Sequence, residues 1–401
     1  MPENQEDRNQ KKDTTPPKIK QQVTSQIVTA EAVQAEEVPT VPLDSFQAVN
    51  ALQPEIEIHS ITATRSVSLP GPLVVHPAEY RRGPGEWVQM WWDGMRPSYL
   101  PLSLAPVVVG SVLAWTQTIP QKVPFGHFHI LHFLALLVAV VFIQSGAQLV
   151  NDYYDYLRGI DTSNTLGPGG LIQQAVVRPA TVLSSGLFLL AIGGLLGLVV
   201  ALNGGLLAVV FTLVGLLCAF FYSATSRSLS SLTLGELVSF FVFGPLLTLM
   251  AFVIQIGSIN RSAILYSLPL GLLAAAVIHA NNLRDMEGDA QAGKHTIATF
   301  LSLRMSRVLY LLLLLVAYGI IVALAVPRGA PHLILLTLWT LPIAVVAATG
   351  VFRTDNPVGF HGVMRQTIKL DGWFAFWLAV ALPGTTIWTL LTPYLPSLLT
   401  R

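Results

Sequence analysis

From about residue 98 to 392 the chain alternates long apolar runs with short polar gaps. Nine runs lie near the roughly 20 residues that a bilayer-spanning helix needs: about 98–118, 128–150, 182–201, 205–222, 234–256, 262–282, 306–326, 332–351 and 372–392. Several contain Gly or Pro, which helices inside a bilayer tolerate. The pattern predicts an all-α polytopic membrane protein with nine transmembrane helices, the membrane domain covering residues 90–395. Residues 1–85 hold no helical or strand period, and stretches such as MPENQEDRNQKKDTTPPKIKQQ are too polar to offset their ordering entropy. They are expected to form a disordered cytosolic tail that contributes no chemistry.

Composition agrees with that division. The 401 residues are 52% hydrophobic and 11% charged, against about 25% charged in an average soluble domain. A net charge of +1 gives no reason to expect a nucleic-acid partner, and the lone Cys218 permits no intrachain disulfide. The basic residues near the expected spans divide thirteen to four. Those from Arg81 to Lys369 fall on one side, against Lys122, Arg261, Arg328 and Arg401 on the other. That bias puts the N-terminus and the exits of the second and sixth spans in the cytoplasm, as for a multi-pass plasma-membrane protein.

Acids then change the picture. From Asp93 onward there are ten, and six of them sit in NDYYDYLRGIDT (151–162) and NNLRDMEGDAQAGKHT (281–296). If the second span continues as a helix, Asn151, Asp152 and Asp155 share one face. Asn281, Asp285 and Asp289 form an i, i+4, i+8 row in the second segment, with Asn282 beside it. Such hard oxygen ligands suit Mg2+, which usually shares its shell with substrate phosphates. Zinc would want His or Cys. Arg158, Arg284 and Lys294 flank the rows and are candidates for binding phosphate oxygens. A solvated helix end explains one such motif as well as a site does, but it explains the pair poorly.

The paired motifs resemble those of the UbiA superfamily of intramembrane prenyltransferases. WWDGMRPSYLPLSLAPVVVGSVLA, LGPGGLIQQAVVRPATVLSSG and LGELVSFFVFGPL are most similar to the branch that prenylates 1,4-dihydroxy-2-naphthoate in menaquinone synthesis. The resemblance implies nine helices around a central cavity, Mg2+ as cofactor, and a polyprenyl diphosphate with an aromatic acceptor as substrates. It assigns metal binding to Asn151, Asp152, Asp155, Asp285 and Asp289. Diphosphate contacts fall to Arg158, Lys294 and Arg284. Tyr153 and Tyr222 are candidates for stabilising a carbocation, and Asp161 or Glu287 for taking a proton. His279 is expected to be a hydrogen-bonded packing residue rather than a catalyst. Other acceptors, among them hydroxybenzoate, homogentisate or a glycerol phosphate, and a cyclase reaction stay open at this point, as does the oligomeric state. Transport is the rival from another class. It predicts acids near the bilayer midplane, whereas these lie at helix exits beside cations.

Overall fold

In a bilayer every backbone N–H and C=O must be satisfied within the chain, so apolar runs become helices. The computed structural model describes residues 83–119, 128–159, 171–172, 177–225, 228–326 and 332–391. The N-terminal 82 residues and Asp161, on which expectations were placed, lie outside the described residues. Among the described residues the elements are helical throughout, with one isolated bridge pairing Leu232 and His295.

Ten principal helices follow one another. α1 (Pro84–Gly94) leads through a short turn into α2 (Leu100–Thr118); next come α3 (Ile130–Arg158), α4 (Pro179–Ala201) and α5 (Leu206–Phe221). α6 (Gly235–Ile256), α7 (Arg261–Gln291), α8 (Leu303–Ala325), α9 (His332–Arg353) and α10 (Pro357–Leu391) complete the order. Eight of the described helices, all but α1 and α5, are long and apolar enough to cross a membrane. α5 has 16 residues, a length of about 24 Å against a hydrocarbon core of about 30 Å. The nine expected full-length spans are therefore eight plus one short apolar helix. Leu131, Phe188, Leu195, Leu206 and Trp339 point outward from these helices, as lipid contact requires.

Two boundaries differ from expectation. α1 occupies a stretch with no predicted element; its Met90 and Trp91 pack on Leu149, Leu171 and Val182 while Trp87, Val88 and Trp92 stay exposed. This amphipathic pattern suits a helix lying at the membrane interface. α10 begins at Pro357, well before the expected 372. Arg365, Lys369 and Trp373 recur on its outer face, while Met364, Thr367, Ile368, Asp371 and Phe374 form the buried stripe. Asp371 thus lies inside a packed helix rather than in a cytosolic loop, and its Oδ2 has no hydrogen-bond partner among the described residues.

α7 is the most deeply packed span, against α6, α8 and α10, and α3 pairs with α4. Small residues allow these close approaches, the usual device between membrane helices. At the α6–α7 crossing Gly244 faces Gly271, and a Cβ on Gly271 would lie 2.4 Å from the Phe240 carbonyl oxygen. α6 also widens to a π-turn over Val242–Leu246, beside Pro245, which lacks an N–H to donate. Gly271→Val is expected to destabilise the fold by about 1–3 kcal/mol through overpacking. Gly319→Ala, where an added Cβ meets nothing within 4 Å, is expected to leave stability unchanged. Thermal unfolding in detergent distinguishes them, and equal melting temperatures for both variants would contradict the crossing.

Candidate active site

The two acidic rows lie on helix, since α3 runs to Arg158 and α7 to Gln291, both past the apolar stretch that precedes them. Gly159, at φ 68°, closes α3. Beyond α7, Gly293 at φ 69° turns the chain so that the Lys294 N–H donates to the Asp289 carbonyl at 2.8 Å. The Thr233 N–H donates to the His295 carbonyl at 3.0 Å, pinning this segment to the turn before α6.

Each acid of the rows has a cation against it. Arg96 reaches Asp152 at 3.3 Å, Arg158 reaches Asp155 at 3.4 Å, Arg284 reaches Asp285 at 2.6 Å and Lys294 reaches Asp289 at 3.2 Å. Arg284 binds Asp285 through two nitrogens, its Nε donating to Oδ1 at 2.7 Å. Asn151 donates to Asp155 and accepts from the Ser223 hydroxyl at 2.6 Å. Asn281 donates to Asp285 at 3.2 Å and accepts from the Tyr99 hydroxyl and from Arg284, each at 3.0 Å. Burial alone would lower the Lys294 pKa. Asp289, Asp155 and Asp285 outweigh it and hold the ammonium above the usual lysine range, so charge from both rows converges on one cation.

A cavity of about 700 Å³ opens between these helices. Asn151, Asp155, Asn281, Asn282, Arg284, Asp285, Glu287, Asp289, Lys294 and Tyr222 line it, together with Arg96 and Tyr99. Leu136, Val140, Ile143, Leu216, Phe243 and Met250 line the rest. One space therefore joins a charged wall to an apolar one.

Other expected site residues are placed differently. Asp152 is fully buried and does not line the cavity; it holds Arg96, which does. Arg158 is turned toward the end of α5, donating to the backbone carbonyls of Ser223 and, at 2.7 Å, Thr225. Arg158 does not line the cavity, and its Nη2 makes it a strut between α3 and the turn after α5. Tyr153 packs with the Leu149, Leu171 and Val182 cluster, away from the cavity.

Sequence reasoning missed Arg96, Tyr99, Gln148, Ser223 and Glu236. Arg96 precedes Pro97, which disfavours right-handed helical backbone. It adopts φ 52° and ψ 59°, and its Nη1 also donates to Gln148 at 3.4 Å. A non-glycine residue in this region costs about 1–3 kcal/mol, so the bonds to Asp152 and Gln148 hold it there. The Arg-Pro pair was the signal that would have found it.

The donor set fits Mg2+. Its atoms are hard carboxylate and carboxamide oxygens, and the buried Asp289 Oδ2 has no hydrogen-bond partner among the described residues. Among those residues no group of three or more His, Cys, Asp or Glu converges into a closed cage. An open set suits an ion that keeps waters and shares substrate oxygens.

A model of the UbiA prenyltransferase family matches residues 103–359, well over half the chain. The chain belongs to the UbiA prenyltransferase family. As a member it is a multi-pass membrane enzyme of prenyl transfer. It is 30% identical over 294 residues to the 1,4-dihydroxy-2-naphthoate octaprenyltransferase of Bacillus subtilis, covering 73% of this chain and 92% of that one. It is 33% identical over 296 residues to UbiA prenyltransferase domain-containing protein 1 of Gallus gallus, covering 72% of this chain and 84% of that one. The structure of a UbiA homologue from Archaeoglobus fulgidus, bound to DMAPP and Mg2+, superimposes with a TM-score of 0.51 at 15% identity, over 72% of this chain and 99% of that one. At that identity the likeness is one of fold.

Asp152→Ala, Asp155→Ala, Asp285→Ala and Asp289→Ala are each expected to lower prenyl transfer about 10²–10³-fold, from a loss of about 3–4 kcal/mol in transition-state stabilisation. Asp355→Ala is the control, since its carboxylate is 80% exposed in an ion pair with Arg307. Asp371 is no control, being buried in α10. Turnover in liposomes, with folding checked by melting temperature, decides. Near wild-type rates in two of the four variants would reject the paired rows as the reaction site.

Proposed function

We propose that this UbiA-family enzyme transfers a polyprenyl group from a polyprenyl diphosphate to 1,4-dihydroxy-2-naphthoate, releasing diphosphate and carbon dioxide, as a step of menaquinone biosynthesis. The observation that carries the reaction type is the single cavity with a charged wall and an apolar wall. The named activity of the Bacillus subtilis relative supports the acceptor. The apolar walls fit the prenyl chain, and the hydrophobic helix exteriors fit a lipid-dissolved donor.

Arg96, Arg284 and Lys294 face the cavity and would bind diphosphate oxygens, Arg through its planar fork. Asn151, Asp155, Asp285 and Asp289 would hold Mg2+, with Asp152 acting through Arg96. When bound, Mg2+ supplies positive charge against the negative charge that develops on the leaving diphosphate. The three cations add fixed charge at the same place, in a water-poor cavity where it acts most strongly. As the allylic C1–O bond breaks, Leu136, Ile143, Phe243 and their neighbours keep water from the carbocation. Tyr222 offers a ring face toward the same space. The electron-rich acceptor ring then attacks, and its carboxylate leaves as carbon dioxide.

The thirteen-to-four bias of basic residues supports placing the N-terminus and this site on the cytoplasmic side. We read α5 as the ninth membrane helix around a central cavity, its short length matched by local thinning of the bilayer.

The test is product analysis with the purified chain in liposomes, supplied with dihydroxynaphthoate and polyprenyl diphosphates of several lengths. A prenylated, decarboxylated product and one diphosphate per turnover are expected, with loss on chelation and recovery on adding Mg2+. Product from another aromatic acceptor alone would overturn the acceptor, and metal-independent turnover would overturn the mechanism. Removing residues 1 to about 80, which carry no site motif, is expected to leave turnover within about twofold. A truncated protein that inserts and melts normally but loses turnover would refute a passive tail.

A further inference from the structure

Glu236 stands apart from both acidic rows. It lies in the first turn of α6, 5% exposed, and it does not line the cavity. Its Oε1 is the meeting point of two groups from α7. The His279 Nδ1 lies 2.9 Å away, and the Asn282 Nδ2 donates to it at 3.0 Å. His279 is fully buried, and its Nε2 lies 3.0 Å from the Ser306 carbonyl on α8. A carbonyl only accepts, so Nε2 carries a hydrogen, and one proton bridges Nδ1 and Oε1. The network therefore joins α6, α7 and α8, and with the bridging proton on either atom Oε1 accepts from Asn282.

Asn282 is the member that reaches the cavity. A side-chain amide can usually present either its N–H2 or its oxygen. Here one N–H is donated to Glu236, which orients the amide, and Oδ1 is left as an acceptor with no hydrogen-bond partner among the described residues. The Tyr222 hydroxyl lies on the same wall, 3.4 Å from where a Cβ of Gly235 would stand, and Ser239 lines the cavity one helical turn along.

We propose that Glu236 and His279 are positioning residues that lock the Asn282 carboxamide with Oδ1 toward the cavity, where it accepts a hydrogen bond from a ring hydroxyl of the aromatic acceptor. The inference rests on the proposed prenyl transfer and adds how the acceptor is chosen. A buried oxygen with no alternative donor selects strongly for a hydroxyl over its methyl ether. An orientation lock is needed because an amide free to flip would accept either ligand. The same oxygen can also receive a metal-bound water, a source that the choice of varied substrate distinguishes.

Glu236→Gln keeps size and shape but offers an N–H2 that can face Asn282 and turn its oxygen inward. This variant is expected to raise the acceptor KM about tenfold and to erase the preference for the dihydroxy ring over its monomethyl ethers. The KM for polyprenyl diphosphate and the Mg2+ dependence should stay within about twofold. Asn282→Ala should give the same split, and it tests the idea independently should Glu236→Gln fail to fold. A KM change for the diphosphate or Mg2+ in place of the acceptor would overturn the assignment, pointing to a metal-bound water. A fall in kcat alone, with hydroxyl preference kept, would reduce the network to packing. If the wild-type chain prenylates no aromatic ring, the proposed function fails and the inference with it. If wild type transfers normally and both variants keep its acceptor discrimination, only the inference fails.

Discussion

A charge buried where a bilayer-spanning helix ends has to be neutralised by another side chain, because little water reaches it. This requirement organises the site. Asp152, Asp155, Asp285 and Asp289 each face a cation, and two of those cations, Arg96 and Lys294, come from outside the helix that bears the acid. Removing one partner of a buried pair typically costs about 3–5 kcal/mol, since the other charge is stranded. Arg96 therefore ties the entry to α2 onto α3, and Lys294 folds the chain beyond α7 back over its last turn. The apolar packing further along the same helices, with Gly271 against α6, sets the spacing at which these pairs can form.

The same pairing explains the character of the cavity wall. Arg284 and Lys294 are held beside carboxylates yet still line the cavity, so each has a fixed position before any ligand arrives. A preset cation loses little freedom on binding an anion. Arg158, by contrast, lies off the cavity lining and gives its Nη2 to the carbonyls of Ser223 and Thr225. Guanidinium groups close in sequence to one motif thus divide into ligand-facing and structural members by what else can accept their hydrogens.

Much of this was legible from the sequence, for reasons that also fix its limit. Helical spacing of three and four placed Asn151 with Asp155, and Asn281 with Asp285, on shared faces, and both helices continue through the motifs as that spacing requires. Local geometry is written in local sequence. Tyr99 and Gln148 were missed because their partners are 182 and 52 residues away, and nothing in a neutral side chain advertises such a partner. The apolar run at 205–222 read as a full span although its helix has 16 residues, since composition does not register where a turn begins. The last span was expected to begin only at 372, which left Asp371 outside it, whereas α10 starts at Pro357. The 3.6-residue period puts Arg365 and Lys369 on the outer face and the acid on the inner one.

α3 and α7 serve two solvents with one backbone. An α-helix satisfies its own peptide groups whether lipid or water lies outside, so the chain can leave the apolar core without changing structure. Only the side chains must change, and they do so within one turn: Leu149 and Val150 are fully buried beside Asp152, and His279 and Ala280 lead directly into Asn281. A loop at this position would need partners for every exposed amide and would hold its carboxylates less firmly. Continuing the helix fixes the rise between successive acids, and hence the spacing of oxygens along each row. A rigid array of oxygens at the mouth of an apolar cavity is what an amphiphile with a charged head and an isoprenoid tail requires.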